Sequence, residues 1–313
     1  MADFHDIFNT PEETENQPET PKQASDYDMA AWKERKQQER DTAYAMSDGV
    51  ALDIAYHPDR LKQYLDTQSR FSSQSVSNVL LIMEQCPNAE KVAPLSEWSR
   101  HKIRIKRNEM KNSVLMLQRG DSYMRDDGSF GRSYNVARMY HDKQSENPIK
   151  KAKSKHNDNA IMKALKESSP VPIALVNNLP DSAIAAYDRE SSEIQLVLEG
   201  VNTDMLVYAL SREIALARME TSDRQMPRIP EFTADCAAYM VCSRYGYDTK
   251  AYSFTGAPEV FCGADMETPE ASWVRAELSD IRASAGAIIA RAEKSLHPQN
   301  TERGNNNARR DNR

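Results

Sequence analysis

Histidine is missing from residues 157–296; the six in the chain are His5, His57, His101, His141, His156 and His297. The C-terminal half therefore has no imidazole to offer a metal. Cysteine is nearly as sparse. Cys86, Cys236, Cys242 and Cys262 form no Cys-x-x-Cys pair, which excludes a zinc ribbon or a dithiol redox motif. They read as reduced thiols of a cytoplasmic protein. Asp235, Cys236 and Cys242 make a poor metal cluster, because a six-residue spacing does not place two thiols on one helical face. No apolar run approaches the ~18 residues of a membrane span. The stretch from Met1 to Glu19 is acidic and lacks the hydrophobic segment of a signal peptide. With only 10 glycines in 313 residues and 28% charged residues, the expectation is helix-rich folded domains with polar tails. Neither a cofactor nor a metal is expected.

What is present is an uneven charge. The net charge is −6, yet residues 60–156 hold 19 Lys and Arg against 10 Asp and Glu. A basic middle inside an acidic protein suggests a module that meets a polyanion; a solvated charged surface is the alternative.

Residues 1–29, rich in Glu, Asp, Pro, Thr and Gln, are expected to be a disordered acidic tail. Residues 30–142 form a first module. A polar helix over Ala30–Met46 is followed by helical spacing at Leu61–Leu65. A break falls at Phe71-Ser72-Ser73. A helix capped by Ser75 carries Val76, Val79, Leu80, Ile82 and Met83, and a short one bears Trp98. The period then changes. Ile103 to Arg107 alternates apolar and basic residues and predicts a strand with one wet, positive face, and strands are predicted over 112–117 and 133–140. Residues 143–158 read as a basic linker. In the second module, 159–296, short strands are expected at 172–176, 183–187 and 193–198, and helices at 160–166, 203–220, 232–245 and about 270–296. Gly246 stands as a C-terminal cap. Residues 297–313 are a second expected disordered tail. The fold class is α+β, in two domains.

Two stretches suggest chemistry. Arg100, Lys102, Arg104, Lys106 and Arg107 could track phosphates, with Trp98 and Tyr134 as base-stacking candidates. Trp98 could equally anchor a helix to the sheet. Arg70 and Asn78 are further candidates for contact or for structure. The second stretch, Arg212-Glu213-Ile214-Ala215-Leu216, has the spacing of the zinc-peptidase motif His-Glu-x-x-His with both histidines replaced. Neither a guanidinium nor an isobutyl group can bind zinc. Glu213 keeps the general-base position. Arg212 could fill the vacated space and pair with Asp235 or Glu213, and Leu216 reads as added core.

The first module resembles the N-terminal domain of ArdC-type antirestriction proteins and of LtrC-like proteins of conjugative elements. The resemblance runs through Tyr64 to Phe71, Ser75 to Ile82, Trp98, Ile103 to Glu109 and Ser133 to Val136. Asn108 and Lys111 stand where that family usually has glycine. The second module resembles the metallopeptidase-like domain of the same proteins. It does so through Ala186-Tyr187-Asp188, Ile194 to Leu198, Arg212 to Leu216, and Phe232 to Tyr252 with its Arg244-Tyr245-Gly246-Tyr247-Asp248-Thr249 end. The resemblance implies a mobile-element protein that binds single-stranded DNA. Its zincin-like domain would lack its metal ligands, with Asp235 nearest to the expected acidic third ligand. The alternatives are a zinc-dependent metallopeptidase with unrecognised ligands and a pure protein–protein interaction protein.

Overall fold

A computed structural model of the chain describes residues 26–125, 127–147, 157–223, 225–263 and 267–297. Of the tails expected at 1–29 and 297–313 and the linker expected at 143–158, residues 1–25, 298–313 and 148–156 lie outside the described residues, whereas Asp26 to Met29 already belong to the helix α1 and Asp158 opens the helix that follows the linker. The chain divides into two compact units, residues 1–39 and 40–313. The described part of the first is helical, the opening turns of α1 (Asp26–Tyr56), with Lys36 pairing with Glu39 at 2.9 Å.

The second unit is α+β. It contains α2 (Pro58–Arg70), α3 (Val76–Gln85), β1 (Val92–Ala93), α4 (Leu95–Arg100), β2 (Val114–Met124) and β3 (Phe130–His141). After these come α5 (Asp158–Ser168), β4 (Ile173–Leu175), β5 (Ala185–Asp188), β6 (Glu193–Leu196), α6 (Thr203–Glu220), α7 (Pro230–Tyr245), α8 (Ala257–Cys262) and α9 (Ala271–Leu296). One sheet is antiparallel with order β1-β3-β2. The other has order β4-β6-β5, with β4 parallel and β5 antiparallel to β6.

Local signals account for several boundaries. Ser75 caps α3 by accepting from the Asn78 amide, and Asn202 caps α6 by accepting from the Met205 amide. α7 ends at Gly246, whose φ of 82° suits the residue without a Cβ. The main core crosses the boundary expected at 143–158. Leu61, Leu65, Val79 and Ile82 share it with Ile214, Tyr239, Leu278 and Ile288. Polar contacts cross it too: Tyr64 Oη donates to the Leu278 carbonyl at 3.4 Å, and Tyr239 Oη and Ser243 Oγ each lie 3.0 Å from Asp66 Oδ1.

The strand expected at Ile103 to Arg107 is not formed. Ile105 makes a single bridge to Ser145, and Arg107–Glu109 is a 3₁₀ turn. The reason lies in the chain that would have to pair with it. β3 bends into a 3₁₀ turn at Asp142–Gln144, where buried Asp142 accepts from the Glu90 and Lys91 amides. The ladder has no straight partner beyond Ser145. Asn108 and Lys111 keep negative φ, and the left-handed residue of this region is Lys102, at φ 58°.

β2 is an edge strand, and α3 covers its base. Asn78 accepts from the Leu117 amide at 2.8 Å and donates to its carbonyl at 3.0 Å; Gln85 does the same for Leu115, at 2.8 and 3.0 Å. Two amide side chains, two helical turns apart, thus stand in for a neighbouring strand and satisfy an edge that would otherwise offer free donors and acceptors.

Candidate functional site

The pentad of the sequence lies on α6, with Tyr187 of β5 on one side and Asp235 of α7 on the other. Arg212 Nε donates to Asp235 Oδ1 at 2.7 Å, and Arg212 Nη1 donates to Glu213 Oε1 at 2.6 Å. The expected pairing of Arg212 is present, with both carboxylates. Glu213 is 5% exposed, and its other oxygen accepts from the Tyr187 amide at 2.8 Å. Asp235 Oδ1 also lies 3.3 Å from Tyr208 Oη. Burial opposes the charge on Arg212, but Asp235 and Glu213 more than offset it and raise its pKa. Burial and then Asp235 push the Tyr208 hydroxyl far above its usual range. Leu216 is buried core.

This donor set does not fit a metal. Its two carboxylates already receive guanidinium and backbone donors, and Arg212 and Leu216 supply no ligand atom. Among the described residues no group of three or more His, Cys, Asp or Glu side chains could hold an ion. Cys236 and Cys242 are fully buried thiols, and burial raises both pKa values, that of Cys242 to about 12.

The nucleic-acid candidates separate into two groups. Trp98 has no exposed surface: its Nε1 donates to the carbonyls of Ala93 (3.1 Å) and Tyr140 (3.0 Å), and Lys91 lies over its ring. It anchors α4 to the sheet and has no face to offer a base. Asn78 clamps β2, as above. Arg70 donates to the Pro87 carbonyl at 2.6 Å and ties α2 to the end of α3. Trp98 and Asn78 are buried and structural, and Arg70 is half-buried in a structural contact.

Arg100, the last residue of α4, and Lys102, Arg104, Lys106 and Arg107 on the segment that follows it are all exposed. Lys106 is partly engaged, through the Lys143 carbonyl at 3.3 Å. Tyr134 is 39% exposed, midway along β3. Six residues separate it from Tyr140, the neighbour of Trp98, so at ~3.3 Å per residue it stands roughly 20 Å along the strand from the sheet's base. The basic segment and Tyr134 therefore do not share one compact pocket.

Sequence reasoning missed the outer half of the β2–β3 hairpin. Phe130 is 78% exposed and Met124 69%; these two residues pair across the strands, as do Arg119 and Tyr134. A register shift lies between Arg119 and Ser122, a bulge that increases local twist. Tyr123 lies across Gly131, where any Cβ would come within 2.6 Å of its ring. Tyr44 of α1 is near enough that Tyr134 and Tyr123 raise its pKa, after the larger effect of burial, while Arg40 lowers it. Arg119 and Arg125 are exposed on the same arm. The available signal was the group Tyr123, Met124 and Phe130 flanking Asp127-Gly128.

No family model matches the sequence, and no curated protein matches it. Among solved structures the chain is similar to the antirestriction protein ArdC of plasmid R388. The Mn(II)-bound crystal structure is 12% identical, with 69% of this chain and 84% of that chain covered at a TM-score of 0.45. For the metal-free structure the identity is 13%, the coverage 71% and 83%, and the TM-score 0.40.

Proposed function

We propose that this protein binds single-stranded DNA without catalysis, and that its second module is a zincin-like scaffold closed by Arg212 and kept for structure or for a partner. The observation that carries the reading is the β2–β3 arm. On a chain of net charge −6 it presents Phe130, Tyr123 and Tyr134 together with Arg119 and Arg125, while the exposed Arg100, Lys102, Arg104, Lys106 and Arg107 lie at the other end, toward the sheet's base. Aromatic faces stack on bases of any identity, and guanidinium and ammonium groups follow the phosphates, which is the chemistry of sequence-tolerant single-strand binding. The resemblance of the sequence to ArdC-type proteins extends the proposal to a bacterial mobile element, to antirestriction and to a cytoplasmic setting. No described helix is long and apolar enough to cross a membrane.

The deciding experiment titrates fluorescent single- and double-stranded oligonucleotides of equal length at two salt concentrations. The expected result is tighter binding of the single strand, with affinity falling steeply as salt rises. Equal affinity for both forms, or binding indifferent to salt, overturns the proposal.

A further inference from the structure

Beside the closed carboxylate site lies a cleft of about 430 Å³. Tyr208, Phe232, Tyr252 and Phe254 supply its aromatic wall, and Asp235 and Glu259 its charge. The rings are firmly set. Tyr208 and Tyr252 stack at 3.8 Å and 8°, and Phe232 meets Phe254 edge-on at 6.3 Å. The carboxylates are not neutralised. One guanidinium, Arg212, is shared by Glu213 and Asp235, which leaves that trio with one negative charge. Glu259 adds a second, on the exposed face of α8. Asp204 and Asp248 lie close enough to Tyr252 to join burial in pushing its hydroxyl up to about 12. Lys62 is the cation beside this wall, donating to the Tyr252 carbonyl at 3.2 Å with its ammonium over the Tyr239 ring.

From this arrangement we infer that the cleft receives a basic side chain, arginine ahead of lysine, presented by a protein partner. Aromatic faces attract a cation through their quadrupoles, and a carboxylate at the rim supplies the directional bond. A planar guanidinium satisfies both demands at once, stacking on a ring while it forks onto a carboxylate. Arg212 already shows the carboxylate half of this chemistry from inside the chain, with one bond to Asp235 and one to Glu213. The inference assigns the cleft a ligand apart from the proposed DNA-binding residues, and none of its residues is among them, so either reading can fail alone.

The test uses the full chain and four capped tripeptides, Ac-Ala-Xaa-Ala-NH2 with Xaa as Arg, Lys, norleucine or Glu, followed by calorimetry or amide chemical shifts. Saturable binding is expected in the order Arg, Lys, norleucine, with none for Glu. Glu259→Gln should weaken the Arg peptide by about tenfold, the equivalent of one lost charge contact, and Glu259→Lys should abolish binding. Glu199→Lys, the same charge reversal on another exposed turn, should leave it unchanged. Far-UV circular dichroism and urea midpoints report whether each variant is folded. No saturation up to about 10 mM, equal affinity for norleucine, or equal losses in the Glu199 and Glu259 variants would each overturn the inference.

Discussion

Arg212 Nε lies 2.7 Å from Asp235 Oδ1, so a guanidinium on α6 fastens α7 through a carboxylate. The same side chain also donates to Glu213, which is nearly inaccessible. Removing it by Arg212→Ala leaves a buried carboxylate with only the Tyr187 amide as partner. Breaking a fully buried pair costs several kcal/mol; Arg212 and Asp235 are partly exposed, so the expected loss is about 2 kcal/mol. Urea denaturation measures it. Arg212→Lys keeps the charge but loses the fork and should fall between the two. A variant as stable as the parent removes Arg212 from the account of how α6 and α7 are held.

If the pentad is a peptidase helix motif that has lost its ligands, restoring them should restore affinity. Residues 212 and 216 share one face of α6, and Asp235 already reaches that face. The double variant Arg212→His, Leu216→His is expected to take up zinc in a one-to-one ratio, measured by metal analysis after desalting, while the parent takes up none. Failure of a folded double variant to bind zinc counts against a zincin-like geometry.

The structure divides the nucleic-acid candidates into residues that hold the fold and residues that are free to bind. Trp98→Ala should cost about 3–5 kcal/mol of stability. Asn78→Ala, which strips both partners from Leu117, should cost about 2 kcal/mol. Phe130→Ala and Tyr134→Ala should leave the urea midpoint nearly unchanged and each weaken single-strand affinity by about 1–3 kcal/mol. Replacing Arg104, Lys106 and Arg107 together by Ala should weaken all sequences about equally and flatten the salt dependence. Unchanged affinity in the Phe130 and Tyr134 variants takes the arm out of the site.

Burial holds the His141 imidazole below its ordinary pKa, with Asp142 and Glu109 pulling it up and Lys143 pulling it down. The unfolded chain protonates this ring near pH ~6.5, the folded chain only at lower pH. Between those values the unfolded state binds more protons, so His141 subtracts stability as pH falls below ~6.5 and has no effect above it. Urea midpoints of the parent and of His141→Gln, compared at about pH 7.5 and about pH 5.5, should show the smaller acid loss in the variant.

Much of the α-helical order was readable, because it is written in local spacing and caps. The ends of α6 at Thr203 and Glu220, the Ser75 cap and the Gly246 stop all follow from residues within one turn. The pairing of Arg212 was readable too, since α6 and the helix with Asp235 could be placed in order. What failed was non-local. Ile103 to Arg107 has the alternation of a strand, but a strand needs a partner, and the bend at Asp142–Gln144 removed it. β2 runs on through Gly120, Asp121 and Ser122, poor strand formers that β3 nevertheless pairs or bulges around, so the arm and its exposed rings were hidden. Trp98 could not be assigned from sequence alone, because core anchors and stacking platforms use the same side chain.

The guanidinium between Glu213 and Asp235 has a consequence for supply. A cation built into the chain arrives with the ribosome's product; it needs no loading step and cannot be stripped by a chelator or outcompeted by a neighbouring ion. The contact that Arg212 makes between α6 and α7 therefore asks for no ion, whereas a zinc-held contact forms only as fast and as far as its ion is delivered.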